Sequence, residues 1–176
     1  LASSLFFMGQ FALFTYVRPF LETVTGVHGP RISLVLLVMG IAGFVGTLLI
    51  GRALQRRFYQ TLVAIPLLMT LIALALVAFG DWLAVVIALL GIWGLAGTSA
   101  PVGWWAWIAM VFPKDAEAGG GLFVAVVQLS IALGSTLGGV LFDQSGFQAT
   151  FFASAAILLT SAALTILTAK SKPAAA

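Results

Sequence analysis

Two glutamines are among the few side chains of this sequence suited to binding a small polar molecule. Phe14 follows Gln10 by one helical turn, so the two side chains share one face of a helix. Gln128 stands near the middle of another apolar stretch. Because a buried amide in lipid must find hydrogen-bonding partners, each glutamine predicts either an interhelical hydrogen bond or a contact with a substrate.

A pair of tryptophans forms the second candidate group. Trp104 and Trp107 are three residues apart and share a helix face. Their closeness to Lys114 is typical of the aromatic belt at a membrane surface. The neighbouring Pro101 and Gly103 loosen the helix, which favours a second interpretation, a stacking platform for a flat ligand. Both interpretations are open at this point.

Groups for catalysis or metal binding are scarce. The single histidine, His28, lies in a predicted loop, and the sequence has no cysteine. Ser99 lacks the second glycine of a nucleophile elbow and has no membrane-embedded histidine to activate it. We therefore expect no enzymatic activity, no bound metal and no cofactor.

The composition indicates that lipid is the main solvent of this chain. Hydrophobic residues make up 62% of the 176 residues and charged residues 7%, against about 25% charged in soluble proteins. The charged residues are clustered, and the runs between them are about as long as the ~20 residues that a membrane-spanning helix needs. We predict an all-α membrane protein with six transmembrane helices. They form one bundle over residues 1–170, with helices at about 1–20, 31–51, 59–79, 82–111, 118–142 and 147–169.

The positions of lysine and arginine predict the orientation of the bundle, since basic short loops stay cytoplasmic. One set of loops, together with Lys170 and the tail over residues 171–176 that follows it, carries six basic residues: Arg52, Arg56, Arg57, Lys114, Lys170 and Lys172. The opposite loops carry only Arg18 and Arg31. We expect both ends of the segment in the cytoplasm, and no nucleic acid as a partner.

Glycines recur at helical spacing, for example Gly91, Gly94 and Gly97 in the fourth predicted helix and Gly134 and Gly138 in the fifth. Small residues on one face let helix backbones approach closely in lipid, so we interpret these glycines as packing positions. Close and smooth contacts also allow helices to rock against each other, as alternating access requires.

Several of these motifs together resemble a known family. They are the Trp-rich segment 103–107, the segment 115–121 that follows Pro113, the segment 127–129 around Gln128, and the glycines of 134–139, preceded by residues 9–12 and 15–20 at the start of the chain. The combination resembles the second half of drug/proton antiporters of the major facilitator superfamily, in particular the arabinose-type and purine ribonucleoside efflux pumps. Helices one to six would then be the seventh to twelfth of that fold, its C-terminal bundle.

The same resemblance extends to a cytoplasmic loop. Residues 47–57 are similar to the degenerate second copy of the family's loop motif, with Arg52, Arg56 and Arg57 at its basic positions. Gly51 stands where the motif has an acidic residue, and Leu54 where it has a glycine. The antiporter signature and the proton-carrying carboxylates of the family belong to the first half, outside this sequence.

The resemblance implies half of a secondary active transporter in the bacterial inner membrane. It would export a small organic substrate, such as a drug, a sugar or a nucleoside, by proton antiport through alternating access. Its partners would be that substrate, membrane lipid and an N-terminal six-helix half. The expected substrate-binding residues are Gln10, Phe14, Trp104, Trp107 and Gln128. The alternatives are an uptake carrier of the same superfamily and a stand-alone six-helix channel or assembly subunit.

Overall fold

The computed structural model of the protein describes residues 1–111 and 116–170, apart from the side chains of residues 116–118. The loop residues Pro113, Lys114 and Asp115 and the predicted tail over residues 171–176 lie outside this range. The described part of the chain is helical and contains no β-strand: α1 is Ala2–Phe14, α2 Val17–Thr23, α3 Pro30–Phe79, α4 Leu83–Val111 and α5 Ala116–Lys170. The all-α fold class predicted from the sequence is confirmed.

Three of the described helices are long and apolar enough to cross a membrane, namely α3, α4 and the part of α5 from Gly119 onward. The 50 residues of α3 and the 55 of α5 would measure about 75 and 82 Å as straight helices. Both lengths are more than twice the ~30 Å of a bilayer's hydrocarbon core. Each of these helices therefore has the length of two membrane spans.

Helix α3 folds back on itself at Arg57, where the backbone leaves helical geometry (φ −149°, ψ 67°). On one side of the bend, Thr98 of α4 donates a hydrogen bond to the Gly43 carbonyl at 2.8 Å. On the other side, Met69 Cε lies 3.5 Å from where a Cβ at Gly97 would be. One turn of α4 thus contacts positions that a straight α3 would hold about 39 Å apart. The segments 30–56 and 58–79 consequently lie side by side along α4.

Helix α5 folds back in the same way at Gly146, whose φ of 80° lies in the left-handed region that glycine adopts without strain. Across this bend, the Thr150 hydroxyl donates a hydrogen bond to the Gly138 carbonyl at 3.0 Å. A continuous helix would separate these two residues by about 18 Å. The segments 116–145 and 147–170 are therefore neighbours. The sequence predicts a loop over residues 143–146 between two helices. In the structure only Gly146 departs from helical geometry.

The first helix differs from the single helix expected over residues 1–20, because it is interrupted between α1 and α2. Tyr16, at the interruption, donates a hydrogen bond from its hydroxyl to the Ser135 carbonyl of α5 at 2.9 Å. Pro19, expected to help end the helix, lies instead in the first turn of α2. Proline is tolerated there because backbone N–H groups of a first turn have no partner within the helix.

Glycines bring the helices into backbone contact. A Cβ added at Gly134 would overlap the Met8 carbonyl oxygen of α1, and one added at Gly138 would overlap the Ala12 carbonyl oxygen. Ser154, in the second segment of α5, donates a hydrogen bond to the Gly9 carbonyl at 2.6 Å. Helix α1 is thus held between the two segments of α5.

Helices α3 and α4 are also in backbone contact at glycines. A Cβ at Gly94 would overlap the Met39 carbonyl oxygen, and one at Gly46 would overlap the Leu95 carbonyl oxygen. The opposite face of the first segment of α3 is apolar and exposed, with Leu34, Leu37, Ile41, Phe44 and Leu48 between 56 and 67% exposed. An exposed apolar stripe of this kind marks a surface that contacts lipid or another protein segment rather than water.

Candidate functional site

A cavity of about 360 Å³ lies between α1, the first segment of α3 and α4. Its volume falls within the ~300–1,000 Å³ typical of small-molecule pockets. Its walls are mostly aromatic and aliphatic, and its polar side chains are few: the lining includes Gln10, Phe11, Phe14, Met39, Trp93 and Thr98. None of the described residues that line it is charged. The arrangement suits a small ligand that is largely apolar and carries no net charge.

Gln10 projects from α1 and is 8% exposed. Its Oε1 is buried and accepts no hydrogen bond. The amide lies against Gly97 of α4, where an added Cβ would come within 2.8 Å of Nε2 and 3.4 Å of Cδ. The absence of a side chain at Gly97 therefore leaves the room that the Gln10 amide occupies.

Trp93 supplies a second buried polar atom without a partner. Its side chain is 1% exposed, and its indole Nε1 makes no hydrogen bond. Thr98 differs, because its hydroxyl lies 2.8 Å from the Gly43 carbonyl oxygen and 2.7 Å from the Gly94 carbonyl oxygen. Two residues that line the cavity, Gln10 on α1 and Trp93 on α4, thus each carry a buried polar atom without a hydrogen-bonding partner.

Phe14 lies on the cavity wall together with Gln10, and 39% of it is exposed. Its ring contacts that of Phe11 edge to face, with 5.5 Å between the ring centroids. Of the five predicted substrate-binding residues, the structure therefore brings Gln10 and Phe14 together in one cavity.

Trp104, Trp107 and Gln128 do not line this cavity. Trp104 is 5% exposed and contacts Trp107 edge to face at 6.4 Å, so little of its ring is open to a ligand. Gln128 is exposed on the first segment of α5. Their part in substrate binding stays a prediction.

Trp93, Phe11 and Gly97 are cavity residues that the sequence reasoning did not select. The sequence pattern predicts Gly97 as a packing glycine, and Trp93 belongs to none of the predicted motifs. The signal for Trp93 is its depth, because it stands ten residues into the long apolar helix α4. Tryptophans that anchor a helix lie instead at its ends, in the membrane interface.

The charged residues of the described chain lie away from the cavity. Arg52, Arg56 and Arg57 are all exposed at the bend of α3. Arg18, one turn beyond Phe14, forms an exposed ion pair with Glu22 at 3.0 Å. Exposed pairs of this kind contribute at most about 1 kcal/mol, so we assign this one no role in binding.

Comparison with known proteins gives a consistent family assignment. The family model described as Major Facilitator Superfamily matches residues 1–176. The purine ribonucleoside efflux pumps NepI of Salmonella paratyphi C and Salmonella typhimurium are each 40% identical to this chain over 156 residues. That match covers 89% of this chain and 39% of each pump.

A further relative is more similar in sequence, but its name describes a regulator of transcription rather than an efflux pump. The transcription regulatory protein OpdE of Pseudomonas aeruginosa is 81% identical over 172 residues, which covers 98% of this chain and 43% of that protein. The chain therefore spans about two-fifths of the length of the curated relatives it matches. No solved structure matches it.

Proposed function

Since the chain belongs to the major facilitator superfamily, we propose that it is half of a transporter that exports a small organic substrate by proton antiport. The observation that carries this proposal is the family match over the whole chain, together with efflux pumps among its relatives. The cavity between α1, α3 and α4 supports it, because it has the size and lining of a small-molecule site. Alternating access would expose this cavity to the two sides of the membrane in turn.

The remaining half would be an N-terminal bundle of six helices that precedes this segment. The charged residues of this sequence lie between its apolar runs rather than within them, whereas proton carriers of transporters are ionisable residues within the membrane. The proton would therefore be carried by the other half. The exposed apolar stripe on α3 is a candidate surface for contact with that half or with lipid.

We place the protein in the bacterial inner membrane, with both ends of this segment in the cytoplasm. The bend of α3 supports this orientation, because it presents Arg52, Arg56 and Arg57 together at one end of the bundle. Basic residues of short loops are retained on the cytoplasmic side. The same three residues would form the cytoplasmic loop motif of this half.

The substrate site would include Gln10 and Phe14 on α1, with Trp93 facing them from α4. The aromatic rings would contact the apolar part of the substrate, and the amide would fix its orientation. Trp104, Trp107 and Gln128 are proposed as further contacts, at positions that the N-terminal half of the transporter would complete.

The test is a transport assay on the full-length protein in everted membrane vesicles with an acidic interior. Purine ribonucleosides, pentoses, carboxylates and cationic dyes are added singly while a fluorescent dye reports the pH gradient. Antiport predicts that at least one compound accumulates saturably and dissipates the gradient, which vesicles without the protein do not show. Accumulation in right-side-out vesicles instead would indicate uptake, non-saturable flux would indicate a channel, and no flux of any compound would refute the transporter proposal.

The name of the 81% identical relative favours a second role, in the control of transcription. We propose that such control is indirect, because a transporter changes the cellular concentration of a small molecule to which a DNA-binding protein responds. A full-length variant that no longer transports should then lose its effect on gene expression at normal abundance in the membrane. Retained regulation in that variant would separate the two activities.

A further inference from the structure

We propose that a groove between the second segment of α3 and the end of α5 binds an anionic phospholipid of the cytoplasmic leaflet, with the phosphate at Lys170. The groove has a volume of about 460 Å³ and is lined by residues between Tyr59 and Leu67 on α3 and by Ile166, Ala169 and Lys170 on α5. It shares no lining residue with the cavity between α1, α3 and α4. The lipid site is therefore separate from that cavity and independent of what the protein transports.

The two walls of the groove are antiparallel helix segments that meet at its inner end. There the Thr70 hydroxyl of α3 lies 3.4 Å from the Ala155 carbonyl oxygen of α5, and both residues are buried. From this contact toward the mouth of the groove, the residue numbers fall along α3 to Tyr59 and rise along α5 to Lys170. The groove thus opens at the end of the bundle that carries the bend at Arg57, the end proposed to face the cytoplasm.

Polarity changes along the groove as it does across one leaflet of a membrane. The polar side chains Tyr59, Gln60 and Lys170 lie at the end nearest the bend. From there the groove continues over apolar residues to Leu67, about 12 Å along the helix axis from Tyr59. One leaflet supplies about 15 Å of the ~30 Å hydrocarbon core, and tyrosine is enriched at the level of the headgroups. The groove therefore covers the depth of about one leaflet, with its polar end at the headgroups.

The groove is open to lipid from the side. Ala64 on its floor is exposed, and so are 36% of Leu67 and 38% of Ile166. An acyl chain that follows the groove would contact both helix segments at once, which gains more dispersion energy than contact with a single convex helix. An acyl chain thus fits the apolar part of the groove.

Lys170 determines which headgroup is preferred. The ion pair found among the described residues joins Arg18 to Glu22, so no described carboxylate neutralises Lys170. A lipid phosphate would supply the missing anion, and the Gln60 amide at the same end can donate to a second phosphate oxygen. An ethanolamine headgroup would bring an ammonium group as well, for which the described lining offers no carboxylate. A headgroup with net negative charge is therefore favoured, as in other basic pockets between helices on the cytoplasmic side.

The experiment measures lipid binding to the full-length protein, purified in detergent and stripped of lipid, by native mass spectrometry. Phosphatidylglycerol and phosphatidylethanolamine with the same acyl chains are titrated separately. The unmodified protein should bind its first phosphatidylglycerol about fivefold more tightly than its first phosphatidylethanolamine. This factor corresponds to the ~1 kcal/mol that one basic side chain contributes near a membrane surface. The comparison requires no variant that could fail to fold.

Two pairs of variants then assign the binding to the groove. Lys170→Gln should abolish the preference, whereas Arg52→Gln should retain it, because Arg52 is an exposed cation at the same end but outside the groove. Ala64→Phe places a ring in the groove and should remove the tight binding of the first phosphatidylglycerol. Ala78→Phe should bind like the unmodified protein, since Ala78 is exposed on the same segment about four turns beyond Ala64 and outside the groove.

Three results would overturn the inference. Equal affinity for the two lipids would mean that the headgroup charge is not recognised. A preference that survives Lys170→Gln, or that Arg52→Gln reduces equally, would assign the effect to the overall positive charge of this end. Unchanged binding by Ala64→Phe would place the acyl chain elsewhere. None of these measurements involves transport, so the lipid site and the proposed function can fail separately.

Discussion

Replacing Gly134 by alanine tests the backbone contact between α1 and α5. The added Cβ would lie 2.9 Å from both the Cα and the carbonyl carbon of Met8, and would overlap the carbonyl oxygen. These are backbone atoms, so no side-chain rotation can relieve the overlap. The two helices would have to separate by roughly 1 Å, a gap that forfeits a quarter to a half of the dispersion energy of each contact across it.

The magnitude follows from two opposing effects. Alanine is favoured over glycine inside a helix by about 0.5–1 kcal/mol, whereas overpacking of a filled site costs about 1–3 kcal/mol. Because the overlap is with backbone atoms, the overpacking cost should lie at the upper end of its range. After the helix preference for alanine is subtracted, Gly134→Ala should lower the free energy of unfolding by about 2 kcal/mol. Gly121 lies on the same segment of α5, and a Cβ there meets nothing within 4 Å. Gly121→Ala should therefore be neutral or slightly stabilising.

The assay is unfolding of the full-length protein in mixed detergent and SDS, followed by far-ultraviolet circular dichroism. Gly103→Ala is an intermediate case, because its Cβ would meet Leu62 Cδ2 at 2.7 Å, the end of a side chain that can rotate. We expect its loss of stability to be below about 1 kcal/mol. Equal stability of the Gly134 and Gly121 variants would refute the close approach of α1 and α5.

Two further predictions concern the proposed transporter in the cell. Gln128→Ala in the full-length protein should lower the export rate at unchanged abundance in the membrane, because a substrate contact would be lost; unchanged export kinetics would remove Gln128 from the proposed site. A protease-cleavable tag placed after Ala176 should stay protected in intact cells, since the Lys and Arg distribution places this end in the cytoplasm; cleavage from outside would reverse the proposed topology.

The sequence was most informative about the elements of the fold. Clustered charges separated by long apolar runs predict membrane helices, because lipid excludes both charges and unpaired backbone groups. The bends were harder to predict. The backbone remains helical through Arg52 and Arg56 and departs from it at Arg57, so the basic loop is a tight reversal within helical residues. The interruption at Thr15 and Tyr16 depends on bonds to Ser135, 120 and 119 residues away, which no local pattern contains.

The candidate site was only partly predictable for a related reason. Gln10 and Phe14 were found together because residues four apart on one helix share a face. Trp93 joins them only through the packing of α4 against α3, which depends on the backbone contact at Gly94. Gly97 was interpreted as a packing residue from its spacing, and only the tertiary structure shows that the group it accommodates is the Gln10 amide. The spacing of glycines predicts that another part of the protein packs closely against them, but it does not identify the contacting group.

The position of the cavity follows from how the helices are held. Helix α1 is fixed to α5 through the backbone contacts at Gly134 and Gly138, while α4 is fixed to α3 through those at Gly46 and Gly94. Gln10 and Trp93 belong to different pairs, so the cavity lies at the boundary between them. A ligand in the cavity that contacts both pairs would favour one relative position of them, because it stabilises whichever arrangement presents both sets of contacts. Substrate binding would thereby bias the helix movements on which alternating access depends.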